Sequence, residues 1–321
     1  MKNVKIIFIG TGEFGAIILE KLIQTLYKPI LVITQPDKPV GREQILTPPP
    51  VKLVAEKYNI SVLQSEKILN LKSEILNLRP DLIIVAAYGQ IIPKHILDIP
   101  KYGFINIHPS LLPRWRGSSP LQFTILNGDK ETGVTIIKMD EKIDHGPIIA
   151  NEKLKMKNEK LTYEELHNKL AELGAKLVIE TIPKWLKGEI KPLPQEAQDE
   201  NKVTYTKILK KEDGKIDWSK SAEEIERQIR AFNPWPGSYT RIKNQELRIK
   251  NLKILKVEIL PTQTKTNKQI GEIFLTDDKK LTIQTGQNYL ILQKIQLEGK
   301  KPIAAEDFLL GHKDIIGTIL F

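Results

Sequence analysis

The chain has no cysteine. That excludes disulfides, thiolate nucleophiles and zinc-thiolate centres, and it agrees with a reducing compartment. Long apolar runs are missing as well: stretches such as "DLIIVAAYG" fall far short of the ~18 residues that cross a bilayer. The start, "MKNVKIIFIGTG", goes directly into a strand and a glycine turn rather than a leader pattern. A soluble, cytoplasmic protein that binds no membrane is expected. Neither H-E-x-x-H nor G-x-S-x-G occurs, and the five histidines (His95, His108, His145, His167, His312) are scattered. Zinc hydrolysis and a serine acyl-enzyme therefore have no sequence support, and no metal is expected.

At 321 residues the chain exceeds the usual domain size of ~100 to 200 residues, so two domains are expected. The formal net charge is +10, which favours polyanionic partners without proving one. Residues 1–206 carry 28 cations and 24 anions, and the shorter remainder carries 21 and 15. The C-terminal part is the more basic.

Through the first half, apolar strand-like runs ("VKIIFIG", "ILVITQ", "ISVLQ", "DLIIVAAYG", "GFINIH") alternate with amphipathic helical ones. This predicts a parallel sheet covered by helices, a Rossmann-like α/β domain over 1–189. The proline-rich, polar segment 190–206 has no apolar period and reads as a linker. From 207 to 321, one helix ("SAEEIERQIRAF", capped by Ser221 and Glu224) is followed by short alternating strands. They predict a small antiparallel β-barrel of the oligonucleotide-binding kind.

Residues 10–15, "GTGEFG", match a dinucleotide fingerprint after a strand and before a helix. The acid that should follow the second strand is missing: "ILVITQPDKP" ends in Thr34 and Gln35, with Asp37 already in a loop. Glycines that let strand and helix pack closely explain the motif equally well, and no NAD is expected.

In "FINIHPSLLPRWRG" the strand alternation puts Asn106 and His108 on one side. Polar groups at the carboxyl end of a buried parallel strand cost desolvation unless they are hydrogen-bonded or face a ligand cleft. Both readings are open at that point. A second polar cluster, "MDEKIDHGPII", offers Asp144 as the carboxylate that reaches His108. An amide donor, a proton acceptor and an orienting acid together describe acyl transfer to an amine.

The chain resembles the methionyl-tRNA formyltransferase family, within the folate-dependent formyltransferases. The resemblance is carried by "INIHPSLLPRWRGSSP", "VAAYGQIIP", "TQPDKPVGR", "DEKIDHGPI" and, in the second half, "GKIDWSKSAEEIERQIRAFNPWPGSYT". It implies formyl transfer from 10-formyltetrahydrofolate, as co-substrate, to the α-amine of methionyl initiator tRNA for translation initiation. Carried over by position, Asn106 would donate to the oxyanion, His108 would take the amine proton and Asp144 would orient His108. Ser110, Leu111, Leu112 and Pro113 would border the folate, and Tyr88, Gly89 and Gln90 would lie nearest the pterin. Arg42 is the position expected to meet the acceptor stem. Between Arg241 and Lys256 six cations, Arg248 and Lys250 among them, face a single acid, Glu246, a stripe suited to RNA phosphates or to plain solvation. Trp235 reads as packing at a turn, and a monomer is expected.

Two positions lean elsewhere. Pro109 follows the histidine and the second cluster contains "DHGPI", as in glycinamide ribonucleotide formyltransferases. The alternatives are therefore formylation of a small amine (glycinamide ribonucleotide or an amino sugar), an NAD-dependent dehydrogenase, or an RNA-binding adaptor on an inactive fold. Arg114 and Arg116 have no assigned role.

Overall fold

The computed structural model describes residues 4–41, 43–156, 160–195, 202–243, 249–261 and 268–321. The chain divides into two compact units. The first comprises Met1–Pro120, Lys130–Glu159 and Glu165–Lys207, and the second Leu121–Asp129, Lys160–Glu164 and Ile208–Phe321. The division is not a single cut in sequence. Two short early segments belong to the second unit, where Arg227 donates to the Leu126 carbonyl at 3.0 Å and Arg230 to that of Leu161 at 2.6 Å.

In the first unit, Ile6–Gly10, Leu31–Thr34 and Leu82–Ala86 are buried at every position. Continuous apolar strands of this kind suit a sheet covered on both faces. Each fully buried Ile or Leu contributes about 1.5–3 kcal/mol. The seven-stranded sheet runs Ile148–Lys155, Glu131–Lys138, Phe104–His108, Leu82–Ala86, Ile6–Gly10, Leu31–Thr34, Ser61–Gln64. The last five are mutually parallel. Glu131–Lys138 is antiparallel to Phe104–His108, with Asn106 opposite Ile137 and His108 opposite Thr135. The strand carrying Asn106 and His108 thus lies at the seam where the sheet changes sense.

The "GTGEFG" turn is explained by packing. A Cβ on Gly10 or Gly15 would come within 2.6 or 2.8 Å of the Ala86 carbonyl oxygen, whereas one on Gly12 would meet nothing within 4 Å. Asp37, just beyond the second strand's end, has its carboxylate engaged by Lys52 Nζ at 2.9 Å and Gln64 Nε2 at 2.7 Å. The loop after that strand forms a short hairpin, Lys38–Val40 with Ile45–Thr47, both strands exposed.

The second unit is a curled antiparallel sheet packed on the helix Ala222–Phe232. Its strand path is Ser238–Lys243, Ile249–Leu260, Tyr289–Leu297, Leu281–Gln284, Ile273–Leu275, with Ile303–Ala304 beside Tyr289–Leu297. The expected capping box is present, with Ser221 Oγ accepting from the Glu224 N–H at 3.2 Å and Glu224 Oε2 accepting from the Ser221 N–H at 3.0 Å. The last residues bridge the two edge strands: Phe321 exchanges backbone hydrogen bonds with Arg241, and the Leu320 N–H donates to Gly271. Trp218, not Trp235, fills the core here, its Nε1 donating to Thr240 Oγ1 at 3.0 Å. Trp235, expected as turn packing, is 56% exposed. No helix among the described residues is long and apolar enough to cross a membrane.

Candidate active site

Strand alternation sends Asn106 and His108 to the same face, and the loop after Glu131–Lys138 brings Asp144 to them. Asn106 Nδ2 donates to Asp144 Oδ1 at 3.2 Å. The other carboxylate oxygen lies 3.5 Å from His108 Nδ1 and accepts the backbone N–H of Gly117 at 2.9 Å. Asn106 keeps a second amide N–H with no partner among the described residues. His108 is 4% exposed, and its Nε2 lies 2.9 Å from the Trp115 carbonyl oxygen. A carbonyl can only accept, so Nε2 bears a hydrogen, and in the neutral ring Nδ1 carries the lone pair. That nitrogen is the one facing Asp144.

The Asp144 loop is a tight return. Asp144 itself has φ +47°, and Gly146 passes so close to the Lys138 carbonyl oxygen that no side chain fits there. Asp140 and His145 tie the loop across its width at 2.6 Å.

The residues expected around a folate fall into two kinds. Ser110 is buried and faces inward, its hydroxyl donating to the Arg114 carbonyl at 2.6 Å. Thr135 Oγ1 donates to the Ser110 carbonyl at 2.7 Å and accepts from the Leu112 N–H at 3.1 Å, fixing the path of Ser110–Pro113 over the sheet. Leu112 packs with Ile137 and Ile148, and Leu111 is half-buried against Gly133. Tyr88 is packed into the hydrophobic cluster of Ile92, Ile96 and Phe104, and burial pushes its phenol up to about 12. The Gln90 side chain is spent on the Ile68 N–H and the Glu66 carbonyl. Ala87, Gly89 and Ile91 are the exposed groups of this loop.

Of the residues expected to meet tRNA, Arg42 and Arg248 lie outside the described residues. Lys250 is described only in its backbone, which pairs with Ile242. Arg241, Lys253 and Lys256 of the same stripe are exposed. Among the described residues no group of three or more His, Asp or Glu is arranged to hold a metal ion.

Sequence reasoning missed a set of supports. Arg116 is buried and bonded to Gln195 and Tyr205, while Arg114 lies over the Trp115 ring at 4.2 Å. Gln195 and Tyr205 come from the segment read as a linker. Its described ends are bonded into the first unit: Leu193 pairs with Ile148, and Tyr205–Thr206 forms a parallel bridge with Arg116–Gly117.

The Formyl transferase family model matches residues 2–182, and the model for the formyl transferase C-terminal domain matches residues 208–313. The chain is 43% identical to the methionyl-tRNA formyltransferase of Bacillus velezensis, over 98% of this chain and 97% of that one. It is also 43% identical to the methionyl-tRNA formyltransferase of Citrifermentans bemidjiense, over 100% and 97%. Among solved structures, HypX from Aquifex aeolicus aligns with a TM-score of 0.64 at 18% identity, over 96% of this chain and 49% of that one. The N-formyltransferase of Helicobacter canadensis, solved with folinic acid and dTDP-3-aminofucose, aligns with a TM-score of 0.63 at 22% identity, over 90% and 99%. At those identities the two structures speak for the fold alone.

Proposed function

The chain belongs to the methionyl-tRNA formyltransferase family and is an enzyme of formyl transfer; we propose that it takes the formyl group from 10-formyltetrahydrofolate and gives it to the α-amine of methionyl initiator tRNA by direct attack. The observation that carries the mechanism is the meeting of Asn106, His108 and Asp144 at the end of one strand.

The amine nitrogen attacks the formyl carbon, and a C–N bond forms as the carbonyl π electrons move to oxygen. The free N–H of Asn106 donates to that oxyanion. The amine proton passes to His108 Nδ1, whose positive charge the adjacent Asp144 carboxylate balances. Collapse of the intermediate breaks the bond between the formyl carbon and the folate nitrogen, which leaves with the proton that His108 returns, so the imidazole ends neutral. No covalent acyl-enzyme is needed, in keeping with a site built from an amide, an imidazole and a carboxylate.

For the donor, the exposed backbone of Ala87 and Gly89 and the Ile91 side chain offer hydrogen-bonding and apolar surface to a pterin, and Leu111 borders it. The inward-facing Tyr88 and Gln90 act by holding the loop. For the acceptor, Arg42, Arg248 and Lys250, with the exposed Arg241, Lys253 and Lys256, supply phosphate contacts. Relatives that match both units end to end favour tRNA over a small amine as acceptor.

The test is formyl-methionine formation from 10-formyltetrahydrofolate and charged initiator tRNA. Removing a preorganised oxyanion donor costs about 100- to 1,000-fold in rate. Asn106→Ala should lose that much in kcat while remaining folded, and near-normal turnover in the folded variant would sink the mechanism.

A further inference from the structure

A buried guanidinium ordinarily sits against a carboxylate, because a charge stripped of water needs an opposite one. Arg116 is 3% exposed, yet its partners among the described residues are neutral. Nε and Nη2 both donate to Gln195 Oε1, at 3.0 and 2.7 Å, and Nη1 donates to the Tyr205 hydroxyl at 3.3 Å. Gln195 is fully buried, and the other end of its amide is equally engaged: Nε2 donates to the Asp144 carbonyl at 3.0 Å and the Gly146 carbonyl at 2.8 Å. The residue after Arg116 completes a ring, since the Gly117 N–H donates to Asp144 Oδ2 at 2.9 Å. From the Asp144 carboxylate the path runs through Gly117, Arg116 and Gln195 back to the main chain of Asp144 itself.

Position 195 must present an acceptor to a guanidinium and two donors to two carbonyls. A primary amide does both at once. Glutamate would satisfy the cation but turn lone pairs toward the carbonyl oxygens. Asp144 needs such ties, because a non-glycine residue in the left-handed region costs about 1–2 kcal/mol and is held there only by its surroundings. Its φ is +47°.

We propose that Gln195 and Arg116 are a positioning pair for formyl transfer, holding the Asp144 carboxylate in register with Asn106 and His108 and acting on rate only through that carboxylate. The inference rests on the function given in the preceding section. It sets the pair apart from residues that merely stabilise the fold. Its loss lowers kcat and leaves KM for both substrates in place, and the loss vanishes where Asp144 has no carboxylate to position.

The experiment is a double-mutant cycle on the full chain, assayed with 10-formyltetrahydrofolate and methionyl-tRNA under single-turnover conditions and accompanied by thermal unfolding. The variants are Gln195→Met, Gln195→Glu, Arg116→Lys, Asp144→Ala and the two doubles Gln195→Met/Asp144→Ala and Arg116→Lys/Asp144→Ala. Gln195→Met should lower kcat by about 10- to 100-fold, the scale found for partners that orient metal ligands, with KM within about twofold. Gln195→Glu should lose as much, although it offers Arg116 an opposite charge. In the Asp144→Ala background either change should cost less than about threefold, because sites that act as one unit are not additive. Full additivity, a loss confined to KM, or rescue by Gln195→Glu would overturn the proposal. If Gln195→Met does not fold, Arg116→Lys carries the same cycle, and unfolding of both at 25 °C would assign the pair to stability and overturn it too. A wild-type chain that transfers no formyl group would instead defeat the function itself, a result distinct from additivity in an active enzyme.

Discussion

Asp144 Oδ2 is shared between the backbone N–H of Gly117, 2.9 Å away, and His108 Nδ1, 3.5 Å away. A charge-assisted bond from a main-chain donor fixes the oxygen that faces the imidazole. The same oxygen cannot drift toward solvent without leaving that N–H unsatisfied. Asp144→Asn keeps the shape and an acceptor for Gly117 but removes the charge opposite His108. It should lower kcat by about 100- to 10,000-fold, the range in which positioned proton transfer contributes, with little change in melting temperature. Steady-state kinetics beside calorimetry would check this, and an active Asp144→Asn enzyme would contradict the role.

Gly117 makes a sharper test because its requirement is steric. Its φ is +108°, and a Cβ there would come within 2.8 Å of the Thr206 carbonyl oxygen. Gly117→Ala should destabilise the first unit by about 1–3 kcal/mol and lower kcat as well, since displacing the loop moves the N–H that Asp144 uses. Urea unfolding and kcat measured on the same preparation should both respond.

The "GTGEFG" glycines separate packing from cofactor binding. Gly15→Ala places a methyl 2.8 Å from the Ala86 oxygen, an overpacking that costs about 1–3 kcal/mol. Gly12→Ala meets open space and should cost less than about 1 kcal/mol, the scale of a helix N-cap change. Neither should alter NAD(H) affinity, because the wild type should have none that calorimetry can detect. Measurable NAD(H) binding lost on Gly12→Ala would revive the dehydrogenase reading.

The strand carrying Asn106 and His108 was legible because burial and alternation leave few reasons for two polar side chains at its end, and the apolar periods gave the sheet and the C-terminal strands. Asp144 was legible as a residue type but not as a contact, which needs the loop's φ of +47° and the close pass of Gly146. The Trp115 carbonyl and the Gly117 N–H carry no residue-type signal at all. Gln195 sits in a proline-rich stretch without period, so composition alone called it linker, and only the fold shows both ends of its amide engaged. The hairpin Lys38–Val40 with Ile45–Thr47 was invisible for the opposite reason: with both faces exposed it imposes no burial pattern.

The capping box of the second unit yields a pH dependence. The Ser221 backbone N–H and then its hydroxyl hold the Glu224 carboxyl below its ordinary value of 4.5. A carboxyl lowered on folding adds stability that is present above its unfolded value and fades as pH falls through the folded one. Wild type should therefore exceed Glu224→Gln in stability at pH 7, and the gap should close below about pH 4.5. Ser221→Ala should cost about 1 kcal/mol at neutral pH. Denaturant unfolding followed at Trp218, which packs in the same core, would read both.

The exposed cations of the second unit should act on binding and not on chemistry. Arg241, Lys253 and Lys256 are exposed, and Lys253 lies opposite Tyr239 in the ladder that also pairs Arg241 with Asn251. A cation that contacts a phosphate displaces a condensed counterion, so each one lost should reduce the slope of log affinity against log salt by about 0.7–0.9. Replacing all three with glutamine should weaken methionyl-tRNA binding most at low ionic strength. The deficit should narrow as salt rises, since wild type loses its counterion-release advantage there, and kcat at saturating tRNA should stay within about twofold. A strand face that is merely solvated predicts neither change. An unaltered salt slope in the triple variant would therefore remove these residues from the RNA-binding surface and leave acceptor recognition to the regions around Arg42, Arg248 and Lys250.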